Sequence, residues 1–450
     1  MIKIERFKSL FLFLLVVVSI AQTATLWTYR PSGDPIEQEQ TSLNQIDASK
    51  TLEGKQITYP EQSVYTAKGE SYATRLSGRT ILSRIGASFN IGSVSLTDKA
   101  TVIPSSERVV EIDFASPVSA GMISDLIGEK KIAMEESVAR VHLLEYDGPI
   151  LRLETETGRF KDFHLNGDDA VLKRLFAYDK KQPFRKITLE SGRYFYAPSG
   201  TLRLEELLVY DDVESSPTPM NRIRAAFFPD NPNVQQIRSR EGQDVLTDGV
   251  SAATYDRSYN AFRFNTLSPS AQSSSDIDYA SLVNYVNIHG GWLERSTQKS
   301  GFQFYYDGTQ RLPEAKKRTT FRLHLGKYPV FATTGTILEM PNFDLATIVM
   351  TYDENQVRSL SRGFLRSDRK LVLREKLLPS IDRVVADLRA NEMFSQVEEI
   401  KIGYQMTYTA SPSRYAFLEP AWFVERDGDW DALQYTQNEA QGKVMFNGLE

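Results

Sequence analysis

The sequence predicts an α+β protein: an N-terminal transmembrane helix, then a three-domain mixed α/β ectodomain whose last two domains are related modules of antiparallel sheet plus helix. Three observations predict it. Residues 9–29, SLFLFLLVVVSIAQTATLWTY, carry no charge and follow the basic Lys3, Arg6 and Lys8. Further on, short period-two runs are broken by X-Gly turns, the pattern of antiparallel strands. Beyond residue 204 the chain twice passes through such strands and one prominent amphipathic helix, the layering of an α+β module. The expected division is a cytoplasmic N-terminus (1–8), a membrane helix (9–29), an N-terminal unit (30–203), a central module (204–312) and a C-terminal module (313–450).

The first element is the anchor. Twenty-one residues at about 1.5 Å each span roughly the 30 Å hydrocarbon core. Basic residues precede it, and Asp34, Glu37 and Glu39 follow it. The positive-inside rule therefore places the N-terminus in the cytoplasm and the bulk outside, in a single-pass arrangement. Trp27 and Tyr29 stand where interfacial aromatics fix depth. A cleaved signal peptide would need a small-x-small site, and Ala21-Gln22-Thr23 and Gln22-Thr23-Ala24 each have one poor position. Ser19, Gln22 and Thr23, at i, i+3 and i+4, share one helix face, which makes them the expected contact with other membrane helices.

After a polar stretch at 31–58, QSVYTAKGESYAT reads as a hairpin about Lys68-Gly69, and Thr80–Ser88 as an amphipathic helix. RVVEIDFASPVS alternates Val109, Glu111 and Asp113 against Val110, Ile112 and Phe114, a strand by period two. AGMISDLIG is a short helix. Residues 139–165 form strands broken at Asp147-Gly148 and Thr157-Gly158, and Asp168 caps a helix carrying Val171, Leu172, Leu175 and Phe176. A boundary falls near 198–205. TLRLEELLVYDDV follows as strand, SPTPMNRIRAAFF as helix, and 237–267 as three strand-like runs. DIDYASLVNYVNIHGG is a helix stopped by Gly290, with His289 in its last turn and Trp292 opening the next strand-like run. SGFQFYYDGTQR is a strand ending in an Asp307-Gly308 turn. TTFRLHLGKYPVFA turns at Gly326-Lys327, TIVMTYDENQVRSLSRGFLR adds another pair, and 377–392 is a helix with Ile381, Val384, Val385 and Leu388 on one face. Strands close the chain.

Composition narrows the chemistry. The 450 residues are 41% hydrophobic and 25% charged, with a net charge of −5 and no cysteine. Mild acidity argues against a nucleic-acid partner, which calls for a basic stripe. Zero cysteines remove disulfides, thiolate nucleophiles and thiolate metal sites. The segment VNIHGGW at 286–292 is the most site-like, since HGG opens the oxyanion loop of some esterases. Acyl transfer would need a nucleophile, and no G-x-S-x-G occurs. His142, His164, His289 and His324 make no H-E-x-x-H or H-x-H pair, and no P-loop or G-x-G-x-x-G is present. No catalytic residue, metal or cofactor is therefore expected, and HGGW reads as a cap that turns the chain out of a helix.

Four stretches together are identified as the marks of one family. LWTYRP at 26–31, YASLVNYVNIHGGW at 279–292, FRLHLGKYPVF at 321–331 and GYQMTYTASPSRYAFLEPAWFV at 403–424 resemble the YycH regulatory proteins of low-GC Gram-positive bacteria. Lys327 departs from the small or polar residue of that family's turn. The resemblance implies a bitopic, non-enzymatic protein. It implies association with a YycI-like bitopic partner and with the YycG (WalK) sensor histidine kinase, tuning two-component signalling for cell-wall homeostasis. It also implies that His289, Gly290, Gly291, Trp292, Glu419, Pro420 and Trp422 are structural signatures. Two other classes stay open on the residues alone: a membrane-tethered module that binds wall polymer or another ligand, and an anchored hydrolase.

Overall fold

The structure, a computed structural model, describes residues 51–97, 108–128, 132, 134–145, 148–210, 219–229, 231–238, 242–267, 277–293, 300–332, 344–353, 356–365, 369–409, 415–435 and 445–446. Ser19, Gln22, Thr23, Trp27 and Tyr29, with the whole predicted anchor, lie outside the described residues. Among the described residues no helix is long and apolar enough to cross a membrane.

The first sheet holds nine strands: β1 (Pro60–Ala67), β2 (Glu70–Thr74), β3 (Phe89–Thr97), β4 (Arg108–Val118), β5 (Val138–Glu145), β6 (Pro149–Thr155), β7 (Phe160–Gly167), β8 (Tyr178–Thr188) and β9 (Tyr194–Pro198). Their order is β3-β7-β6-β5-β4-β1-β2-β8-β9. Every pair is antiparallel. Three helices belong to this half: α2 (Gly78–Ser88), α3 (Ala120–Ile127) and α4 (Asp169–Leu175); the short α1 (Gly54–Ile57) precedes them and puts Ile57 into the other core. The α2 helix starts where the Ser77 hydroxyl accepts from Thr80 N–H at 3.2 Å. It buries Ile81, Leu82 and Ile85 against β4, β5 and α3 residues. Its Gly86 is required by close approach: a Cβ there would stand 1.5 Å from the Ile127 carbonyl oxygen of α3. Asp168 caps α4 as predicted, accepting from Ala170 N–H at 2.7 Å.

The second, fifteen-stranded sheet has two lobes. One contains β11 (Gln235–Arg238), β12 (Gln243–Thr247), β13 (Ser251–Asp256), β14 (Ala261–Thr266), β15 (Phe302–Arg311), β16 (Lys317–Leu325), β18 (Thr347–Tyr352) and β19 (Val357–Gly363). The other contains β10 (Leu202–Tyr210), β20 (Arg369–Leu378), β21 (Glu399–Thr409), β22 (Tyr415–Arg426), β23 (Asp429–Gln434) and β24 (Met445–Phe446). They meet at β17 (Tyr328–Phe331), which leaves the β16 hairpin and runs parallel to β21. The helices are α5 (Pro219–Phe227), α6 (Tyr279–Ile288) and α7 (Ile381–Ala390). The β15–β16 hairpin brackets residue 312, so the expected division between central and C-terminal modules falls inside one turn. β10, early in the chain, pairs with β20 and β22 far along it.

Period and burial agree where a helix has one apolar stripe. Ile381, Val384, Val385 and Leu388 of α7 are all buried, over the C-terminal strands and against Ile187 and Leu189 of the first sheet. Three local expectations change. Residues 235–266 hold four strands, where three runs are visible in the sequence. Asp307-Gly308 does not end a strand: β15 continues to Arg311 through a bulge between Tyr306 and Gly308. The reason is Arg322 on β16, buried, whose guanidinium holds Asp307 at 2.8 Å and Asp344 at 2.7 Å. A bulge frees one residue from the ladder and re-aims its side chain. Trp292 is not in a strand; it is buried in the central core.

Candidate functional site

The HGGW segment becomes a site through what it grips. Asp278 caps the start of α6, its carboxylate accepting from Ser281 N–H at 2.8 Å. The helix ends at His289, whose Nδ1 lies 2.9 Å from the Tyr285 carbonyl oxygen. A carbonyl only accepts, so Nδ1 carries the proton. Burial pushes the imidazole down to about 4, and it stacks on the Tyr285 ring at 3.9 Å. It is therefore neutral at pH 7, a capping donor. Gly290 (φ 119°) and Gly291 (φ 65°) both occupy conformations that side chains rarely adopt. The turn is fixed from β19: the buried Arg362 guanidinium donates to the carbonyls of Gly291 and Trp292. Burial brings Arg362 down to about 9, still charged at neutral pH.

The turn delivers Trp292 to Asn287, one turn of helix back. The indole N–H donates to Asn287 Oδ1 at 2.8 Å. The same amide reaches a segment 235 residues earlier: Leu52 N–H donates to Oδ1 at 3.0 Å, and Nδ2 donates to the Leu52 carbonyl at 2.9 Å. Residues 52–59 dock along α6 and β15 from there. Leu52 and Ile57 enter the central core. The Gln303 side chain donates to the Gln56 carbonyl at 3.1 Å, Thr58 donates to the Tyr279 hydroxyl at 3.2 Å, and Tyr59 stacks on Tyr305 at 4.3 Å. HGGW is thus one side of a clamp on the chain that follows the predicted anchor. Asn287, its central residue, carries no signal in a single sequence beyond its place on the helix.

The second signature, Glu419-Pro420-Ala421-Trp422, is also structural in geometry. One flank of β22 pairs with β10 up to Leu418 and with β23 from Trp422 onward. Pro420 sits where the partner changes, a position that tolerates a missing N–H. Glu419 accepts from Lys376 at 2.6 Å. Trp422 is buried over α7, its indole donating to the Pro379 carbonyl at 3.0 Å.

Between the first sheet and the β21–β22 lobe lies a cleft of about 980 Å³. Two charged networks line it. Lys401 of β21 binds Glu61 of β1 at 3.0 Å and Glu399 at 3.2 Å, and donates to the Ala115 carbonyl of β4. It ties the two halves together. Burial lifts the Glu399 carboxyl to about 7 against the pull of Lys401. In the first sheet Glu111 accepts from the Tyr194 hydroxyl at 2.7 Å and from Tyr196, and Arg140 pairs with Asp113. His142 Nε2 stands 2.9 Å from Glu154. Burial raises the Glu111 carboxyl, but His142, both tyrosines and Arg140 outweigh it and hold it below the ordinary range. The side of β4 that carries Glu111 and Asp113 faces this network. Among the described residues no group of three His, Cys, Asp or Glu side chains is placed to hold a metal ion.

The fold and these motifs define a two-sheet α+β protein whose sequence signatures are joints of the structure. The profile of the YycH protein C-terminal domain matches residues 193–440, over half of the chain. The chain belongs to the YycH family. Its fold is similar to the crystal structure of YycH from Bacillus subtilis, with a TM-score of 0.59 at 14% identity, covering 85% of this chain and 97% of that one. An uncharacterized protein from Eubacterium rectale ATCC 33656 aligns with a TM-score of 0.30 at 11% identity, over 58% of this chain and 88% of that one, too low to carry an argument. No curated protein gives a significant match.

Proposed function

We propose that this protein is a non-enzymatic, membrane-anchored regulator of the YycG (WalK) two-component system, acting by association with a YycI-like bitopic protein and with the sensor kinase. Family membership over residues 193–440 is the observation that carries this reading. Residues 9–29 hold the protein in the cell membrane with the two-sheet body outside, and Ser19, Gln22 and Thr23 form the contact face. A bitopic protein biases a kinase only if it binds the kinase's signalling states unequally. The clamp on residues 52–59 supports a mechanical route for that bias, because a force that reaches these residues acts on α6 and the central core. Gln22→Leu removes the polar contact and keeps the apolar length. The expected result is weaker regulation of a kinase-responsive promoter with membrane insertion intact. Unchanged promoter output would count against that face.

A further inference from the structure

Four of the eight large hydrophobic side chains exposed among the described residues lie on one strand, β20: Leu371 49%, Val372 53%, Leu373 50% and Leu377 52%. A fifth, Tyr210, is on β10 beside it. Among the described residues β20 ends the strand order of the second sheet, paired with β10 on one side only. It is ten residues long. Such an edge presents a row of unpaired backbone donors and acceptors, a template for another strand, and proteins usually blunt it with charge, proline or cover. Here the middle of the strand is three consecutive aliphatics, exposed on both faces, next to a bulge between Glu206 and Leu207 in the pairing with β10.

The charges beside this run indicate what covers it. Lys370 is exposed and donates to the Ser300 carbonyl at 3.3 Å. Arg374 is 63% exposed and is held through Nε by Glu206, which leaves its other donors outward. A second copy is a poor match: antiparallel self-pairing centred on Val372 sets Lys370 against Arg374, and like charges directly opposite are destabilising. We infer that the outer edge of β20 is a strand-addition site for another protein, which supplies an extended segment of alternating aliphatic and acidic residues. Backbone hydrogen bonds give the register, aliphatic contacts with Leu371, Leu373 and Leu377 on one face give affinity, and carboxylates facing Lys370 and Arg374 on the other give selectivity. This rests on the reading of the protein as a regulator that works by association, and it locates one such contact on the folded body in addition to the membrane helix.

The test uses the full-length chain in detergent micelles and a nine-residue peptide alternating valine and glutamate. Controls are the valine–lysine peptide and a backbone N-methylated version of the acidic one. Hydrogen exchange at residues 369–378 is the readout, and the acidic peptide is expected to slow it roughly tenfold while neither control does. Leu371→Glu with Leu373→Glu abolishes that protection with the unfolding midpoint unchanged, since both side chains are half exposed. If that double variant does not fold, the peptide comparison on the unaltered chain still decides. Unchanged exchange at saturating acidic peptide, or equal protection by the lysine peptide, overturns the inference. So does protection by concentration alone, which means a second copy, or by phosphatidylglycerol vesicles alone, which means a lipid surface. The promoter readout for Gln22→Leu is independent of all of these, so failure here and failure of the regulatory reading are separately visible.

Discussion

Asn287→Ala removes the centre of the clamp. The side chain makes three hydrogen bonds: two to the Leu52 backbone at 3.0 and 2.9 Å and one from the Trp292 indole at 2.8 Å. All three partners lie in a buried setting. A buried donor or acceptor left unpaired costs about 1–3 kcal/mol, and two of the three bonds hold Leu52, so the substitution destabilises the docked state of residues 52–59 by about 2 kcal/mol at least. At 1.4 kcal/mol per factor of ten, that is roughly a thirtyfold rise in local opening. Hydrogen exchange read at peptide resolution measures it. Amides of residues 52–58 should exchange about thirtyfold faster in the variant, while those of α7, in a different core, hold their rate. An increase below about threefold at 52–58, in a variant that folds, would falsify the clamp, because two paired groups cannot be removed from a load path without loosening it.

Three further outcomes follow from the same geometry. Arg362→Met leaves the Gly291 and Trp292 carbonyls without their buried donor, and should lower stability by about 2–4 kcal/mol by chemical denaturation; a shift under 0.5 kcal/mol would mean the turn holds itself. Gly86→Ala places a methyl against the Ile127 carbonyl and should cost about 2 kcal/mol or more, read as a lower thermal midpoint; an unchanged midpoint would show that α2 and α3 separate freely. Glu399 binds its proton more readily folded than unfolded, because its carboxyl is raised from 4.5 to about 7. Its contribution is therefore present below about pH 4.5 and is lost as pH rises towards 7. Glu399→Gln should flatten that part of the stability profile, by up to about 3 kcal/mol. An identical slope in the variant would remove Glu399 as its source.

Local features were legible in the sequence and long-range ones were not. The Asp168 cap, the α7 stripe and the stop at Gly290 each depend on residues within one or two turns, and each stands where spacing places it. The pairing of β10 with β20 depends on partners more than 150 residues apart in sequence, and nothing in either strand names the other. Asp307-Gly308 is a turn signal locally, while the buried Arg322 that re-aims the aspartate in a bulge meets it only in three dimensions. The alternation of β4 was visible, but not that its Glu111 and Asp113 turn inward to Arg140 and His142. HGGW was recognisable as a helix end. Its grip on Leu52 was not, because Asn287 looks like any polar residue on a helix.

The proposed function requires association through the membrane helix. The direct measurement is a mild-detergent pull-down of the full-length chain from its own membranes, beside a version with residues 9–29 replaced by an unrelated spanning helix, with partners identified by mass spectrometry. Recovery of a sensor kinase and a second bitopic protein with the native helix alone is the predicted result. Recovery of neither partner with either version would contradict it and move a wall-polymer-binding role to the front.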